Sequence, residues 1–426
     1  MTEHVFTGFG FGPIQGGLFA NEAFQSGNFG RIVIAEIDQK LVDAVMANKG
    51  TYFVNVAKTN GIEVVRINNV ELLNPCVEAD RNILLDALSE STEIATCLPS
   101  VSFYTMKDNI VALLLAQGLQ RSKANATIIY AAENNNRAAE ILQDAVTKEL
   151  SAALGNNVQF LNTVIGKMSR AVIDQGEVEQ LKLTPIAPGL SKAFLVEEFN
   201  RILVTRCKIN GFVPGIEVFV EKENLLPFEE AKLYGHNAIH ALLAYLGMAK
   251  GYKKMTELKN DADLMKIALK AFLNESGAAL IKKYSGLGDE LFTEPGYRHY
   301  ANDLLERMTN PYLQDTTIRA GRDIVRKLGY NDRIFGTMTL ALEYGIEPVN
   351  MAMGAAAALC QLLVNAEKNN LPEHLCFNDW QQLSAEKIQE LLIWLWGGQG
   401  GQHHQKLTEL VYQALPKLMA LLQAIS

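Results

Sequence analysis

The feature of this chain that most constrains its fold is a change of periodicity near its middle. In the first half, apolar runs of strand length recur, and amphipathic helical stretches separate several of them. Buried strands that alternate with helical crossovers are typical of a largely parallel, doubly wound sheet. The runs are HVFTGF near residue 4, RIVIAEI from 31, IEVVRI from 62, EIATCL from 93, ATIIYAA from 126 and VQFLNTVI from 158.

The second half has a different pattern. Beyond about residue 205, long stretches such as EEAKLYGHNAIHALLAYLGMAKGY and MAMGAAAALCQLLVNAEKN show helical periodicity. A chain of 426 residues also exceeds what one hydrophobic core usually organises. We therefore predict an α/β domain over residues 1–208 and an all-α domain over residues 209–426, joined near the glycine- and proline-containing segment at 210–215.

Composition excludes several functional classes. No segment approaches twenty uninterrupted apolar residues, so no membrane-spanning helix is predicted. A net charge of -8 without a long basic run removes the electrostatic case for nucleic-acid binding. The opening residues lack the basic flank and apolar core of a signal peptide, which favours a cytoplasmic location. The five cysteines are scattered, with no CxxC pair, so neither a disulfide framework nor a metal site is predicted.

A glycine-rich turn follows the first predicted strand. The segment GFGFGPIQGG covers residues 8 to 17, and an amphipathic helix comes directly after it. In a dinucleotide fold, glycines at this turn let the backbone approach a pyrophosphate, while the helix amides supply positive potential. The best register places the motif at Gly10, Gly12 and Gln15, with Gly16 and Gly17 just after. Gln15 therefore stands where the third glycine normally lies.

The end of the second strand supports this interpretation. RIVIAEID places Glu36 at about the expected distance after the glycine turn. A carboxylate there accepts hydrogen bonds from the ribose hydroxyls and repels a 2'-phosphate, so NAD is predicted in preference to NADP. Asp38 is a competing candidate, and a third possibility is that Glu36 only ends a strand at the surface.

Three polar residues stand on one predicted helix, Glu229 to Gly247. At about 100° per residue, Lys232, Asn237 and His240 fall within an arc of roughly 140°. A desolvated lysine loses proton affinity and can act as a general base toward an alcohol. An amide can stabilise an alkoxide, and a histidine can orient the lysine or a hydroxyl. From spacing alone, however, a solvated lysine and a buried structural histidine are the more common arrangement.

The segment KLYGHNAIHALLAYLG, which contains these residues, resembles the signature of the polyol-specific long-chain dehydrogenases, the mannitol dehydrogenase family. Other segments agree in order, and the resemblance extends to about residue 365. They are the glycine turn, the acid-ended second strand, AENNNR at 132–137, VEEFNRI at 196–202 and ERMTNPYLQDTTIRAGRDIVRKLGYNDRI at 306–334.

The resemblance implies a Rossmann-like first domain, a helical second domain and metal-independent hydride transfer. It implies that Lys232 is the base, that Asn237 and Asn134 form the oxyanion site, and that His240 supports them. Two departures bear on the substrate. The stretch 166–170 reads GKMSR where relatives often carry an aspartate–arginine pair, and the C-terminal extension through LLIWLWGGQGGQHHQ is longer than expected for phosphate-specific members.

The leading prediction is NAD-dependent oxidation of a hexitol phosphate, of the mannitol 1-phosphate type, to a ketose phosphate. It rests on the residue sequence of the signature segment and on a group of positively charged residues. The alternative is that these charged residues form a solvated surface. The competing functions are a dehydrogenase of a free polyol, hexonate or hexuronate, and a non-catalytic NAD-binding sensor. No oligomeric state is predicted. The cations are Lys167, Arg170, Arg319, Arg322, Arg326, Lys327 and Arg333.

Overall fold

The computed structural model describes residues 4–151, 153–377, 380, 383–398 and 401–423. It divides the chain into two compact units, Met1–Leu226 and Pro227–Ser426. The boundary lies later than the one expected after residue 208, because the strand Phe219–Lys222 pairs in parallel with Ile202–Thr205 and so belongs to the first unit. The segment 210–215, expected as the junction, lies inside the first unit, where Gly215 N donates a 2.5 Å hydrogen bond to the buried carboxylate of Glu93.

The first unit contains twelve strands in its described residues. They are β1 His4–Phe9, β2 Phe29–Ala35, β3 Tyr52–Ala57, β4 Ile62–Ile67, β5 Val70–Leu73, β6 Glu93–Thr96, β7 Thr127–Ala131, β8 Val158–Ile165, β9 Ser169–Val172, β10 Ala193–Glu197, β11 Ile202–Thr205 and β12 Phe219–Lys222. Its helices are α1 Ala20–Ser26, α2 Gln39–Ala47, α3 Glu78–Glu90, α4 Met106–Gln120, α5 Ala138–Glu149 and α6 Gln175–Gln180.

Eight of these strands form the central sheet, in the order β12-β11-β8-β7-β6-β1-β2-β5. Neighbouring strands in this sheet run parallel to each other, except for β8 and β11, which are antiparallel. The predicted doubly wound, Rossmann-like fold is confirmed. The strand order reverses at β1, and the crevice beside such a switch point is where doubly wound sheets bind ligands.

A second, four-stranded sheet was not expected. Its order is β4-β3-β10-β9, and the predicted strand IEVVRI lies in it, antiparallel to β3, instead of in the central sheet. The pattern of apolar residues identifies a strand but does not identify its partner. This small sheet packs against the first helical segment of the chain, where Tyr52 Oη donates a 2.7 Å bond to the carbonyl of Gly16.

The second unit is built from helices, as predicted. They are α7 Leu226–Glu230, α8 Ala238–Ala249, α9 Ala262–Lys270, α10 Ala278–Tyr284, α11 Glu294–Met308, α12 Thr317–Gly321, α13 Ile324–Lys327, α14 Phe335–Glu343, α15 Val349–Val364, α16 Ala385–Leu395 and α17 His404–Gln423. Two helices, α8 and α15, are almost entirely buried and form the centre of this unit. Among the helices of the described residues, none has the length and apolar character needed to cross a membrane.

The predicted helix Glu229–Gly247 is not one regular α-helix. The segment Ala231–Asn237 between α7 and α8 is a π-helix, and a second π-helix, Ala271–Gly277, joins α9 to α10. The second one places Glu275 in the interior, where its carboxylate accepts bonds from Asn350 N at 2.7 Å and Met351 N at 2.8 Å. These amides begin α15, so a buried carboxylate caps the central helix of the unit.

Candidate functional site

The glycine turn after β1 is tight at one glycine and open at the next. Gly10 has φ +81°, a left-handed conformation that a side chain would strain, and a Cβ there would lie 2.9 Å from the carbonyl oxygen of Cys97. At Gly12, by contrast, an added Cβ would meet nothing within 4 Å. The backbone at Gly12 is therefore accessible to a ligand, while Gly10 makes the turn tight enough to present it.

Gln15, at the position of the usual third glycine, is fully buried. Its side chain lies over Gly8 in β1, where an added Cβ would be only 1.6 Å from Gln15 Nε2. The strand thus has a glycine where the helix has a large side chain, and Gly8 allows the close packing of helix and strand that a glycine on the helix normally allows. Neither polar atom of the Gln15 amide has a partner among the described residues.

The next two glycines have a packing role. An added Cβ at Gly16 would lie 2.8 Å from the Phe194 ring, and one at Gly17 would lie 2.6 Å from Val196 Cγ1. Both partners belong to β10 of the small sheet. Gly16 and Gly17 therefore permit close contact between this sheet and the first helical segment, so their Cβ positions face the protein interior.

Glu36 and Asp38 have different roles in the structure. Glu36 follows β2, and its carboxylate accepts bonds from Phe11 N at 2.8 Å and Asp38 N at 2.9 Å. It is thereby fixed beside the glycine turn, with lone pairs remaining for further donors. The Asp38 side chain caps α2, accepting from Lys40 N and Leu41 N. The geometry favours Glu36 as the residue that faces a ribose.

Asn134 is exposed and follows β7, at the carboxyl edge of the central sheet. Its neighbour Glu133 is buried and holds two loops together, because its carboxylate accepts bonds from Thr96 Oγ1 at 2.9 Å, Leu98 N at 2.8 Å and Tyr104 Oη. Burial raises the pKa of Glu133. This cluster fixes the backbone from which Asn134 projects, and sequence reasoning did not assign it a role.

In the second unit, the π-helix changes how Lys232 and Asn237 relate. The expected α-helical geometry separates residues five apart by about 140° around the axis. A π-helix is bonded from residue i to residue i+5, so residues five apart lie on the same face. Lys232 and Asn237 therefore share a face more closely than the sequence predicted. Both side chains are partly buried.

Tertiary contacts maintain this π-helix. A π turn interrupts the regular α-helical bonding, so its carbonyls need other partners. Tyr234 O accepts a 3.1 Å bond from Thr337 Oγ1. At Gly235, an added Cβ would lie 2.8 Å from Tyr297 Oη and 3.0 Å from the Phe272 ring. The wide turn is thus packed against aromatic residues that leave no room for a side chain at Gly235.

The environment of Lys232 lowers its proton affinity. Burial and then the positive charge of Arg333 lower the pKa of Lys232 to about 8, while Glu229 opposes the shift. Arg333 is itself buried, and its Nε donates a 2.8 Å bond to the carboxylate of Asp332. A lysine in this state supplies neutral amine at mildly alkaline pH, which a general base for an alcohol requires.

His240 lies on α8, one helical turn beyond Asn237, and contacts a residue that the sequence did not single out. Its Nε2 is 3.2 Å from Oδ2 of the buried Asp315, whose Oδ1 accepts a 2.9 Å bond from Arg319. Burial alone would raise the pKa of Asp315, but the neighbouring His240 and Arg319 hold this pKa well below its usual range. Nε2 has no hydrogen-bond partner among the described residues, so the carboxylate acts on the imidazole through its charge. That charge favours a proton on Nε2 and leaves Nδ1 able to accept from a substrate hydroxyl.

His236 is a second residue that sequence reasoning missed. Its imidazole is buried, with its ring centroid 6.4 Å from that of His240. Burial lowers the pKa of His236 well below its usual value, and the neighbouring His240 and Arg307 act in the same direction. His236 therefore remains neutral beside Lys232. Its position within the signature segment was a signal, but a histidine on an apolar helix is usually structural.

The seven cations named from the sequence have different surroundings. Lys167 and Arg170 lie in the first unit, where Arg170 pairs with Glu177 at 2.8 Å. Arg322 and Arg326 are more than half exposed and pair with Asp323.

Lys327 is buried and donates a 2.5 Å bond to Ala320 O, while Arg319 pairs with Asp315. Arg333 is the member of the set that is buried and also lowers the pKa of Lys232.

Comparison with known proteins agrees with this arrangement. Residues 224–392 match the model of the mannitol dehydrogenase C-terminal domain. A mannitol-1-phosphate 5-dehydrogenase of Geobacillus stearothermophilus is 29% identical over 360 residues, which cover 82% of this chain and 86% of the relative. One from Buchnera aphidicola is 28% identical over 355 residues, covering 82% and 84%. These matches support a relationship of the chain to the mannitol dehydrogenase family.

Two solved structures share the fold over nearly the whole chain. A substrate-free D-sorbitol dehydrogenase has a TM-score of 0.76 at 16% identity, covering 99% of this chain and 94% of that one. Pseudomonas fluorescens mannitol 2-dehydrogenase, solved as a ternary complex with NAD and D-mannitol, has a TM-score of 0.68 at 17% identity, covering 100% and 94%. These likenesses support the predicted α/β and helical architecture.

The different roles of Glu36 and Asp38 generate a first prediction. Glu36→Gln removes the charge that would repel a 2'-phosphate, so the preference for NAD over NADP should fall about tenfold or more. Asp38→Asn is the matched control, because asparagine also caps helices well and should leave the preference unchanged. Fluorescence titration of both dinucleotides measures this, and equal effects of the two substitutions would overturn the assignment of Glu36.

The contact of His240 with Asp315 generates a second prediction. Asp315→Asn removes the charge that fixes the imidazole, so kcat should fall about tenfold to a hundredfold, part of the usual contribution of an acid–base group. Asp323→Asn is the matched control, since Asp323 is exposed and asparagine tolerates its positive φ of 57°. Steady-state kinetics on both variants decides the matter, and an unchanged kcat in Asp315→Asn would exclude a role for this contact.

Proposed function

We propose that this protein is an NAD-dependent polyol dehydrogenase that oxidises a phosphorylated hexitol, of the mannitol 1-phosphate type, to a ketose phosphate. The observation that carries the proposal is the lysine Lys232, whose pKa burial and a neighbouring guanidinium lower to about 8, on a face shared with Asn237. Such a lysine is a suitable general base for an alcohol, and an amide beside it is a suitable donor to the oxygen that loses its proton.

The first unit fits the cofactor. Gly10 and Gly12 shape an accessible turn after β1, and Glu36 is fixed beside it by two backbone amides. When bound, NAD supplies the acceptor for the hydride that leaves the alcohol carbon. The residues of the chain bind and orient it: Gly12 allows close approach of the pyrophosphate, and Glu36 accepts bonds from the ribose hydroxyls.

The proton of the alcohol goes to Lys232 Nζ, which must be neutral to receive it. As the C–H bond breaks, the oxygen becomes a carbonyl, and the Asn237 amide donates to it while negative charge develops there. His240, whose Nε2 lies beside the charge of Asp315, accepts from a neighbouring hydroxyl through Nδ1. Asn134, which the resemblance implies as a second amide, stays a prediction.

Two observations favour a phosphorylated substrate over a free polyol. Two relatives that align with 82% of the chain are mannitol-1-phosphate 5-dehydrogenases. In addition, Arg333 is buried in the same cluster as Lys232, and Arg307 contributes positive charge at His236. Buried guanidinium groups are well suited to phosphate, because each can form strong charge-assisted bonds with it. A hexonate is the second candidate, since its carboxylate would use the same positive charge.

Removal of the base provides one test. Lys232→Ala should lower kcat by at least a hundredfold, the low end of what a general base contributes, while the affinity for NAD stays near that of the wild type. In the wild type, kcat/KM should rise with pH through about 8, because only the deprotonated amine accepts a proton. This rise should be absent from the variant. More than about a tenth of the activity remaining in Lys232→Ala would rule out the base.

The substrate is tested by a parallel assay. Wild-type protein with NAD is offered mannitol 1-phosphate, glucitol 6-phosphate, mannitol, arabinitol and hexonates, and reduced nicotinamide is followed by absorbance. The phosphorylated hexitol should be preferred by about a hundredfold in kcat/KM, as two charge-assisted contacts would give. Equal or better turnover of a free polyol or a hexonate would replace the phosphate assignment. Absence of turnover despite NAD binding would favour a sensor.

A further inference from the structure

The C-terminal extension, for which the sequence suggested no role, meets the rest of the second unit at Trp396. This residue directly follows α16, and its side chain is almost completely buried. Its Nε1 donates a 3.0 Å hydrogen bond to Leu328 O. Its ring packs edge-on against Tyr330 and Phe335, with centroids 5.1 Å apart in each case. One indole thus contacts three residues of a single short segment.

A second part of the extension contacts the same segment. Gly401 lies so close to Tyr330 that an added Cβ would be 2.0 Å from the ring carbon Cζ. The phenol ring of Tyr330 is therefore held by the indole of Trp396 and by the backbone at Gly401. Two independent contacts from the extension fix one aromatic residue, which restricts the segment on both sides of it.

The segment between Leu328 and Phe335 carries Arg333. Arg333 O accepts a 2.6 Å bond from Thr337 Oγ1, and the same hydroxyl lies 3.1 Å from Tyr234 O in the π-helix. Trp396 thus contacts residues on both sides of Arg333, and the Arg333 carbonyl is linked through Thr337 to the turn that contains Lys232. Arg333 and its partner Asp332 both lie in this segment, so a displacement of Trp396 that moves the segment would move the guanidinium with it.

We propose that Trp396 is a positioning residue for Arg333, and that the C-terminal extension is in this way part of the site that recognises the anionic end of the substrate. The inference rests on the proposed function, in which Arg333 binds a phosphate. A hydrogen bond and two edge-to-face ring contacts fix the orientation of the Trp396 ring and how far it enters the core. Trp396 therefore defines the position of the segment more narrowly than an aliphatic side chain would.

The test compares Trp396→Leu with the matched control Trp394→Leu. Trp394 lies two residues earlier on α16 and is partly exposed, and the described ring contacts and hydrogen bonds of Leu328, Tyr330 and Phe335 do not include it. Trp396→Phe is a milder variant, which keeps a ring but loses the bond to Leu328 O. Should Trp396→Leu fail to fold, Trp396→Phe still tests the proposal.

With the phosphorylated hexitol, Trp396→Leu should raise KM about tenfold, the loss of roughly one charge-assisted contact, while kcat changes less than twofold. Trp396→Phe should shift KM in the same direction by less, and Trp394→Leu should leave it unchanged. Calorimetric titration with inorganic phosphate gives the same comparison without turnover. Equal KM and phosphate affinity in the Trp396 and Trp394 variants would overturn the proposal, as would a fall in kcat alone.

A pH profile separates failure of this proposal from failure of the proposed function. The charged or titratable groups around Lys232 are Arg333, Glu229 and His236. If Trp396 positions Arg333, its loss weakens the repulsion that lowers the pKa of Lys232, so the rise of kcat/KM should move to higher pH with any polyol that is turned over. If the phosphorylated hexitol is not preferred in the parallel assay, a shift measured with a free polyol would still support the positioning role. An unmoved profile would reject the positioning role.

Discussion

The arrangement of the second unit depends on one backbone distortion, the π-helical turn at Ala231–Asn237. It places a lysine and an asparagine on a common face and leaves carbonyl groups that other elements must satisfy. Thr337 donates to one of them, and the aromatic residues around Gly235 fill the space beside the widened turn. These contacts support the distortion, and Thr337 of α14 links the π turn to the backbone of Arg333.

Positive charge in this unit serves two purposes that work together. The guanidinium of Arg333 disfavours the protonated form of Lys232, and the same charge would attract an anionic substrate. Asp315 pairs with Arg319, and Asp332 pairs with Arg333 itself, so each guanidinium is held in position by a carboxylate. The pKa of Lys232 and the recognition of an anionic ligand would then both depend on the position of the Arg333 side chain.

Much of the fold could be predicted from the sequence, because alternating strands and helices leave a local pattern. The glycine turn, Glu36 and the signature around Lys232 were likewise visible as short motifs. The π turn was not, since its causes lie far along the chain: Thr337 is 103 residues from Tyr234. The small sheet and Asp315 were missed for the same reason, because pairing partners and the neighbours of a buried carboxylate are set by tertiary contacts.

The packing of Gln15 over Gly8 has a consequence for how such turns can change. In most dinucleotide folds the small residue lies on the helix, whereas in this protein it lies on the strand. Returning position 15 to glycine alone would leave an empty space beneath the helix, and enlarging Gly8 alone would collide with the glutamine. The two positions are therefore coupled through their volumes: the absence of a side chain at position 8 provides the space that the Gln15 side chain fills.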